Sequence, residues 1–214
     1  MKKEIILFDV DGTIFDSYPG IKHCIEYALS NLEYSIDNID FRKFVGPPLK
    51  DSFKKYCRMN DELATRAVNL FRKEYKRVGN KMYQCYDGIL FTIRELYNKG
   101  YKLGVATSKP EEMAKLMFDE AGLSKYFNHI VGADSSGKED KIDVLKDACK
   151  RFAINEMDSC VLIGDTIYDY EACEELGIDC IIVKYGFGDE KLFSKSKNIV
   201  EQPREILEIL NGEL

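Results

Sequence analysis

The sequence has no tryptophan, no Cys-x-x-Cys pair and no long apolar run. Without tryptophan, the bulky part of a core must come from 12 phenylalanines and 13 tyrosines, and a hydrophobic share of 45% over 214 residues suffices to build one. The seven cysteines (Cys24, Cys57, Cys85, Cys149, Cys160, Cys173 and Cys180) are odd in number. Neither a disulfide framework nor a zinc cluster is expected of them; inside apolar patterns they read as small buried hydrophobes. No stretch approaches the roughly 20 apolar residues that a membrane helix needs. The opening lysines and the short run Ile5–Phe8 are cut off at once by Asp9 and Asp11, with no small-residue cleavage pattern. No export signal is therefore expected, and reduced thiols make the cytoplasm the expected location. An excess of positive charge is missing as well: the formal net charge is −6, which gives no general reason to bind a nucleic acid polymer. There is no internal repeat and no low-complexity segment.

What is present is an alternation. Short apolar runs at Ile5–Phe8, Leu103–Ala106, Val161–Ile163 and Ile181–Val183 read as strands buried on both faces, with a further short run at Ile130–Val131. Helix-period segments lie among them: Ile89, Ile93, Leu96 and Tyr97; Met113, Leu116 and Met117; Ile142, Leu145, Ala148 and Phe152. Strands alternating with helices predict an α/β fold, a parallel sheet covered on both sides. Between Tyr18 and Met82 the alternation stops. Two helices are expected there, one through Ile21, Ile25, Ala28, Leu29 and Leu32, the other through Leu63, Ala67, Leu70, Phe71 and Tyr75. Val45-Gly46-Pro47-Pro48-Leu49 separates them as a helix-breaking loop. The expected organisation is a core of residues 1–16 and 83–214 with an all-helical insert at 17–82. The charge runs Lys54-Lys55 and Arg72 to Arg77 read as solvated helix faces.

In an open α/β sheet, ligands bind beyond the carboxyl ends of the strands. Asp9-Val10-Asp11-Gly12-Thr13 follows the first run, Thr107-Ser108-Lys109 the second, and Gly164-Asp165 the third, with Asp169 shortly after; Lys141 precedes the helix that leads into the third. Carboxylates gathered at one edge repel, and a hard divalent cation with oxygen ligands relieves that repulsion. A lysine and hydroxyls beside it suit a phosphoryl group, whose transition state spreads negative charge over three oxygens. Asp9, directly at a strand end, is the candidate nucleophile, since carboxylates form aspartyl-phosphates. Asp11 lies on the same side if the chain stays extended and is the candidate general acid and base. Gly12 permits a tight turn, and Thr13 could hold that turn or orient Asp11. Asp165 and Asp169 bracket a helix start, and one or both would hold Mg²⁺. Taken singly, each signal has a plain structural reading: a turn, ordinary loop composition, an acidic first helical turn, a surface lysine. It is the four together, each after a strand, that carry the chemistry.

Asp9-Val10-Asp11-Gly12-Thr13, Thr107-Ser108-Lys109, Lys141 and Gly164-Asp165-Thr166-Ile167-Tyr168-Asp169 resemble the four signature motifs of the haloacid-dehalogenase-like hydrolases, across essentially the whole chain. The resemblance implies a Rossmann-like core with a helical cap inserted after the first motif. It implies that Asp9 is nucleophile and metal ligand, and that Asp11 is general acid/base and binds metal through its carbonyl. It implies that Thr107 and Ser108 bind the phosphate, that Lys141 stabilises phosphorylated Asp9, that Asp165 binds Mg²⁺, and that Asp169 supports it or binds through water. Many relatives carry Lys-Pro at the third motif; the stretch Gly137-Lys138-Glu139-Asp140-Lys141 has no proline, and Lys138 is a competing candidate.

Asp11 argues against a dehalogenase. Ile21 stands where the β-phosphoglucomutase branch usually has a cap histidine, and His23 reads as a structural or surface residue. Asp16–Ile21, Val45–Phe53 and Tyr185-Gly186-Phe187-Gly188 are similar to the branch of phosphoglycolate phosphatases and bacterial 5′-nucleotidases, in which the loop around Gly46 would touch the leaving group. The expected activity is Mg²⁺-dependent hydrolysis of a small phosphorylated metabolite by a monomer or homodimer. A phosphomutase and a receiver-like phospho-accepting module remain as alternatives; a nucleotide-driven enzyme of the P-loop kind is disfavoured because no GxxxxGK[ST] occurs.

Overall fold

The computed structural model describes residues 3–35, 37–134, 140–154 and 156–212. The chain forms two compact units, Met1–Phe15 with Cys85–Leu214, and Asp16–Gln84.

The first unit begins with β1 (Ile5–Phe8), wholly buried. The chain then turns through Asp11–Gly12 into β2 (Phe15–Asp16), and re-enters the unit along β3 (Gln84–Cys85), which pairs with β2 in a separate two-stranded sheet. From there helices and strands alternate: α4 (Ile89–Asn98), β4 (Lys102–Pro110), α5 (Glu111–Glu120), β5 (His129–Ala133), α6 (Lys141–Arg151), β6 (Cys160–Gly164), α7 (Ile167–Leu176) and β7 (Asp179–Val183). A short α8 (Glu190–Phe193), β8 (Ile199–Val200) and α9 (Glu205–Asn211) finish it. α1 (Tyr18–Asn31), α2 (Leu49–Tyr56) and α3 (Asp61–Arg77) belong to the second unit.

Six strands form one sheet in the order β5-β4-β1-β6-β7-β8, and every pairing is parallel. A parallel sheet with helices between its strands must be apolar on both faces, and Ile6, Leu7, Phe8, Val105, Leu162, Ile163 and Ile182 are fully or almost fully buried. Beneath β1, Phe8, Phe118 and Phe127 interlock edge to face, with ring centroids 4.9 and 6.0 Å apart. After β1 the winding runs outward through β4 to β5, then returns to β6 on the other side of β1. The reversal puts the crevice of an open α/β sheet at the carboxyl end of β1.

The expected strands are all present; β1 matches its apolar run and the others extend beyond theirs, β4 through the polar Thr107-Ser108-Lys109. β2, β3, β8, α8 and α9 had no counterpart in the sequence reading, nor did α2, a third helix in the insert that starts at the end of the expected breaker loop. Five cysteines are buried, while Cys85 and Cys180 are partly exposed.

In the helical unit, α1 ends at Asn31, with Leu32 as its C-cap. α3 starts on an Asn60 cap, whose side-chain oxygen accepts from Leu63 N at 2.8 Å. Its charged run is only partly a solvated face: the Glu74 side chain is 2% exposed and accepts from Arg77 at 2.7 and 2.8 Å, with His23 of α1 at 2.9 Å. These contacts hold the Glu74 carboxyl down to about 2, the Arg77 hydrogen bonds contributing most and His23 next. His23 is thus a structural partner of a buried acid.

Candidate active site

Asp9 is the first residue past β1, and its backbone N–H still donates to Ile163 of β6, at 2.9 Å. The side chain therefore leaves the sheet at the reversal point. Chain direction then changes: Ile14 and Phe15 both donate to the Val10 carbonyl at 3.0 Å, and Gly12 takes a φ of +88°. A Cβ at Gly12 would overlap Asp165 Oδ2, so this tight passage admits only glycine. Asp11 stands just before that turn, in an isolated bridge with Phe15.

Lys141 is the first residue of α6, whose N-cap Asp140 accepts from Asp143 N at 3.0 Å. The Lys141 side chain is 4% exposed; its ammonium lies 2.6 Å from Asp9 Oδ1 and 2.7 Å from Asp169 Oδ1, and donates to the Ala106 carbonyl at 2.6 Å. Lys138 lies outside the described residues. Asp169 sits in the first turn of α7 and accepts from Thr166 N at 2.9 Å and Thr166 Oγ1 at 2.7 Å. It therefore both caps α7 and faces Lys141. Asp165 is fully buried; its carboxylate accepts from Thr13 Oγ1 at 3.3 Å and from Phe187 N at 2.8 Å. The Thr13 hydroxyl thus engages Asp165, a partner beyond the two roles expected for it, holding the turn or orienting Asp11.

Burial pushes the Asp9 carboxyl up to about 6, against the pull of Lys141 and with further upward pressure from Asp169 and Asp11. Burial, then the charges of Asp169 and Asp9, hold Asp165 well above the usual carboxylate range. Burial would lower the Lys141 ammonium, but Asp169 and Asp9 outweigh it and keep the group above its ordinary value.

At the end of β4, Thr107 pairs with Gly132 and Pro110 with Ala133, so Ser108 and Lys109 bulge between two paired positions. Ser108 is exposed, while the Lys109 side chain turns inward, 4% exposed, and reaches Asp11 Oδ2 at 3.0 Å. Thr107 is buried and its Oγ1 accepts from Lys109 N at 3.3 Å. Lys109 is the residue the sequence reading passed over; the only signal for it was its place beside Thr107 at a strand end. Gly46 lies in the helical unit, on the loop ahead of α2, with a φ of +100°.

The core unit brings Asp9, Asp11, Lys109, Lys141, Asp165 and Asp169 together at one sheet edge. Asp9, Asp165 and Asp169 each offer a carboxylate oxygen, and the three lie within 4.8 Å of one another. With every acid ionised, four carboxylates would face two ammonium groups, two negative charges in excess. That donor set, oxygen only and short by two positive charges, fits a hard divalent cation.

The family model described as haloacid dehalogenase-like hydrolase matches residues 6–183. A 5′-nucleotidase of Pseudomonas aeruginosa is 34% identical over 192 residues, 86% of this chain and 84% of that protein. A phosphoglycolate phosphatase of Aquifex aeolicus is 31% identical over 216 residues, 98% of each chain. The tyrosine-protein kinase PtkA of Mycobacterium tuberculosis is 30% identical over 199 residues, 92% of this chain and 67% of that protein. Among solved structures, a predicted phosphatase from Clostridium acetobutylicum superposes with a TM-score of 0.91 at 34% identity, covering 99% of this chain and all of that one.

Proposed function

The chain belongs to the haloacid dehalogenase-like hydrolases and is an enzyme of their phosphatase kind, and we propose that it hydrolyses a small phosphate monoester, Mg²⁺-dependently, through an aspartyl-phosphate on Asp9. The observation that carries this reading is Asp9 itself. It is a buried carboxylate at the reversal point of the sheet, held by Lys141 and set among two further acids that can share a metal with it.

The steps follow from the side chains. An Asp9 oxygen attacks phosphorus and the ester P–O bond breaks; Asp11 gives its proton to the leaving alkoxide. Water then attacks the same phosphorus, Asp11 takes its proton, the Asp9–phosphorus bond breaks, and inorganic phosphate leaves. Lys141 offsets charge on Asp9 and on the transferred group, and Thr107 and Ser108 donate to phosphoryl oxygens. Mg²⁺ held by Asp9, the Asp11 carbonyl, Asp165 and Asp169 would supply positive charge to those oxygens. By resemblance, residues 17–82 serve as cap to the core of 1–16 and 83–214, and Gly46 contacts the leaving group. The names of the relatives support nucleoside monophosphates and phosphoglycolate as the substrate class.

The test is phosphate release from a panel of nucleoside monophosphates, phosphoglycolate, sugar phosphates and p-nitrophenyl phosphate, with Mg²⁺ or EDTA, for wild type and Asp9→Asn. We expect metal-dependent release that the variant lacks. Label exchanged between positions of a sugar phosphate without free phosphate would make the protein a mutase. Transfer from ATP to a tyrosine peptide, with no ester turned over, would make it a kinase.

A further inference from the structure

The hydrolysis above leaves one conspicuous stretch unused: Tyr185-Gly186-Phe187-Gly188, just past β7. It lies across the turn that follows β1 and makes three separate contacts there. The Phe187 backbone N–H donates to Asp165 Oδ2 at 2.8 Å. The Tyr185 hydroxyl donates to the Thr13 carbonyl at 3.1 Å, and Thr13 in turn donates its own hydroxyl to Asp165 Oδ1 at 3.3 Å. Gly186 closes the third side: a Cβ there would meet the Gly12 carbonyl oxygen and the Asp165 side chain, so backbone packs directly on the acid. Tyr185 is anchored from behind by Tyr86, with ring centroids 4.7 Å apart. Both oxygens of a fully buried carboxylate are thus oriented by one chain segment and the turn it braces.

We propose that Tyr185–Gly188 is a positioning strap that fixes the Asp165 carboxylate for the divalent cation, with Tyr185 acting through Thr13. The inference rests on the reading of Asp165 as a metal-holding residue. Groups that orient a ligand without touching the metal commonly change its affinity by about 10- to 100-fold. The strap works on an acid that burial would otherwise leave to adopt whatever contact its neighbours allow.

The experiment is Mg²⁺ binding by calorimetry on the full chain for wild type, Asp165→Asn, Tyr185→Phe and Gly186→Ala, with the melting temperature of each in EDTA. Tyr185→Phe keeps the ring against Tyr86 and deletes one hydroxyl. We expect it to weaken Mg²⁺ binding about tenfold while leaving the EDTA melting temperature close to wild type. Gly186→Ala is expected to weaken binding further, provided its melting curve shows that it folds. Wild-type affinity in Tyr185→Phe, together with lost affinity in Asp165→Asn, overturns the strap and leaves the metal reading standing. Wild-type affinity in Asp165→Asn, or no Mg²⁺ binding by wild type, overturns the metal reading and the strap with it. A fall in the Tyr185→Phe melting temperature with unchanged affinity makes the hydroxyl a matter of stability and also overturns the proposal.

Discussion

Lys141 satisfies two carboxylates and a backbone carbonyl while almost wholly shielded from water. Removing one partner of such a buried arrangement leaves charge uncompensated, which costs about 3–5 kcal/mol. We expect Lys141→Ala to lose that much in urea unfolding in EDTA, and to lose turnover as well; a change below about 1 kcal/mol would mean that the acids find other partners. Asp9→Asn would remove the proposed nucleophile from an almost unchanged shape, so the folded variant should release no phosphate. Asp9 also sets a pH trend. Its carboxyl is raised from an ordinary 3.8 to about 6, so without metal its stability contribution is present below 3.8 and is lost as pH rises through about 6. At this scale the sequence spoke clearly where an acid stands at or one residue past the end of an apolar run, as Asp9 and Asp165 do. It was silent where the cue is geometric: the bulge that turns Lys109 inward, the Phe187 N–H on Asp165, and the turn that redirects Thr13 all depend on backbone paths that spacing does not encode.

Among the elements, α6 matters most to the site, because its first residue is Lys141. Its Asp140 cap is exposed and touches no candidate catalytic group beyond being adjacent in sequence to one. Asp140→Ala should cost about 1 kcal/mol of stability and lower turnover by displacing the start of the helix; unaltered chemical denaturation would show that the cap is dispensable. In the helical unit, Glu74 ties α1 to α3. Its carboxyl is depressed from an ordinary 4.5 to about 2, so its contribution is present above 4.5 and is lost as pH falls towards 2. Glu74→Gln should melt earlier than wild type at neutral pH, and the gap between their melting temperatures should close on acidification. Long periodic segments such as α3 and the apolar run of β6 were legible because burial repeats along them. β8 has two residues and α8 four, too few for any period to show, and the polar end of β4 is held in the sheet by its neighbour β5 and not by its own composition.

Over the whole molecule, the site's unbalanced negative charge links metal to stability. A cation bound only by the folded chain stabilises it by about 2.7 kcal/mol at a hundredfold excess over its Kd. If Asp9 and Asp165 hold it as proposed, both must be ionised to do so, and the rise in melting temperature on adding Mg²⁺ should be larger near pH 7.5 than near pH 5. An equal rise at both would place the cation elsewhere. The alternation of strands and helices, and the segment that interrupts it, could be read from hydrophobic pattern alone. The order of strands could not, since it is decided by which pairs pack best in three dimensions.

That order has a consequence for how the protein comes off the ribosome. β1 is made before the strands on either side of it, paired in register at Ile5 with Lys102 on one side and Cys160 on the other. Until β6 has emerged, one of its edges has no lasting partner, and Ile-Ile-Leu-Phe is the kind of segment that other nascent chains and chaperones would find. Asp9 likewise waits for Lys141, Asp165 and Asp169. Asp9 precedes in the chain every group that surrounds it, so a chain cut short anywhere before α7 carries the proposed nucleophile without the site.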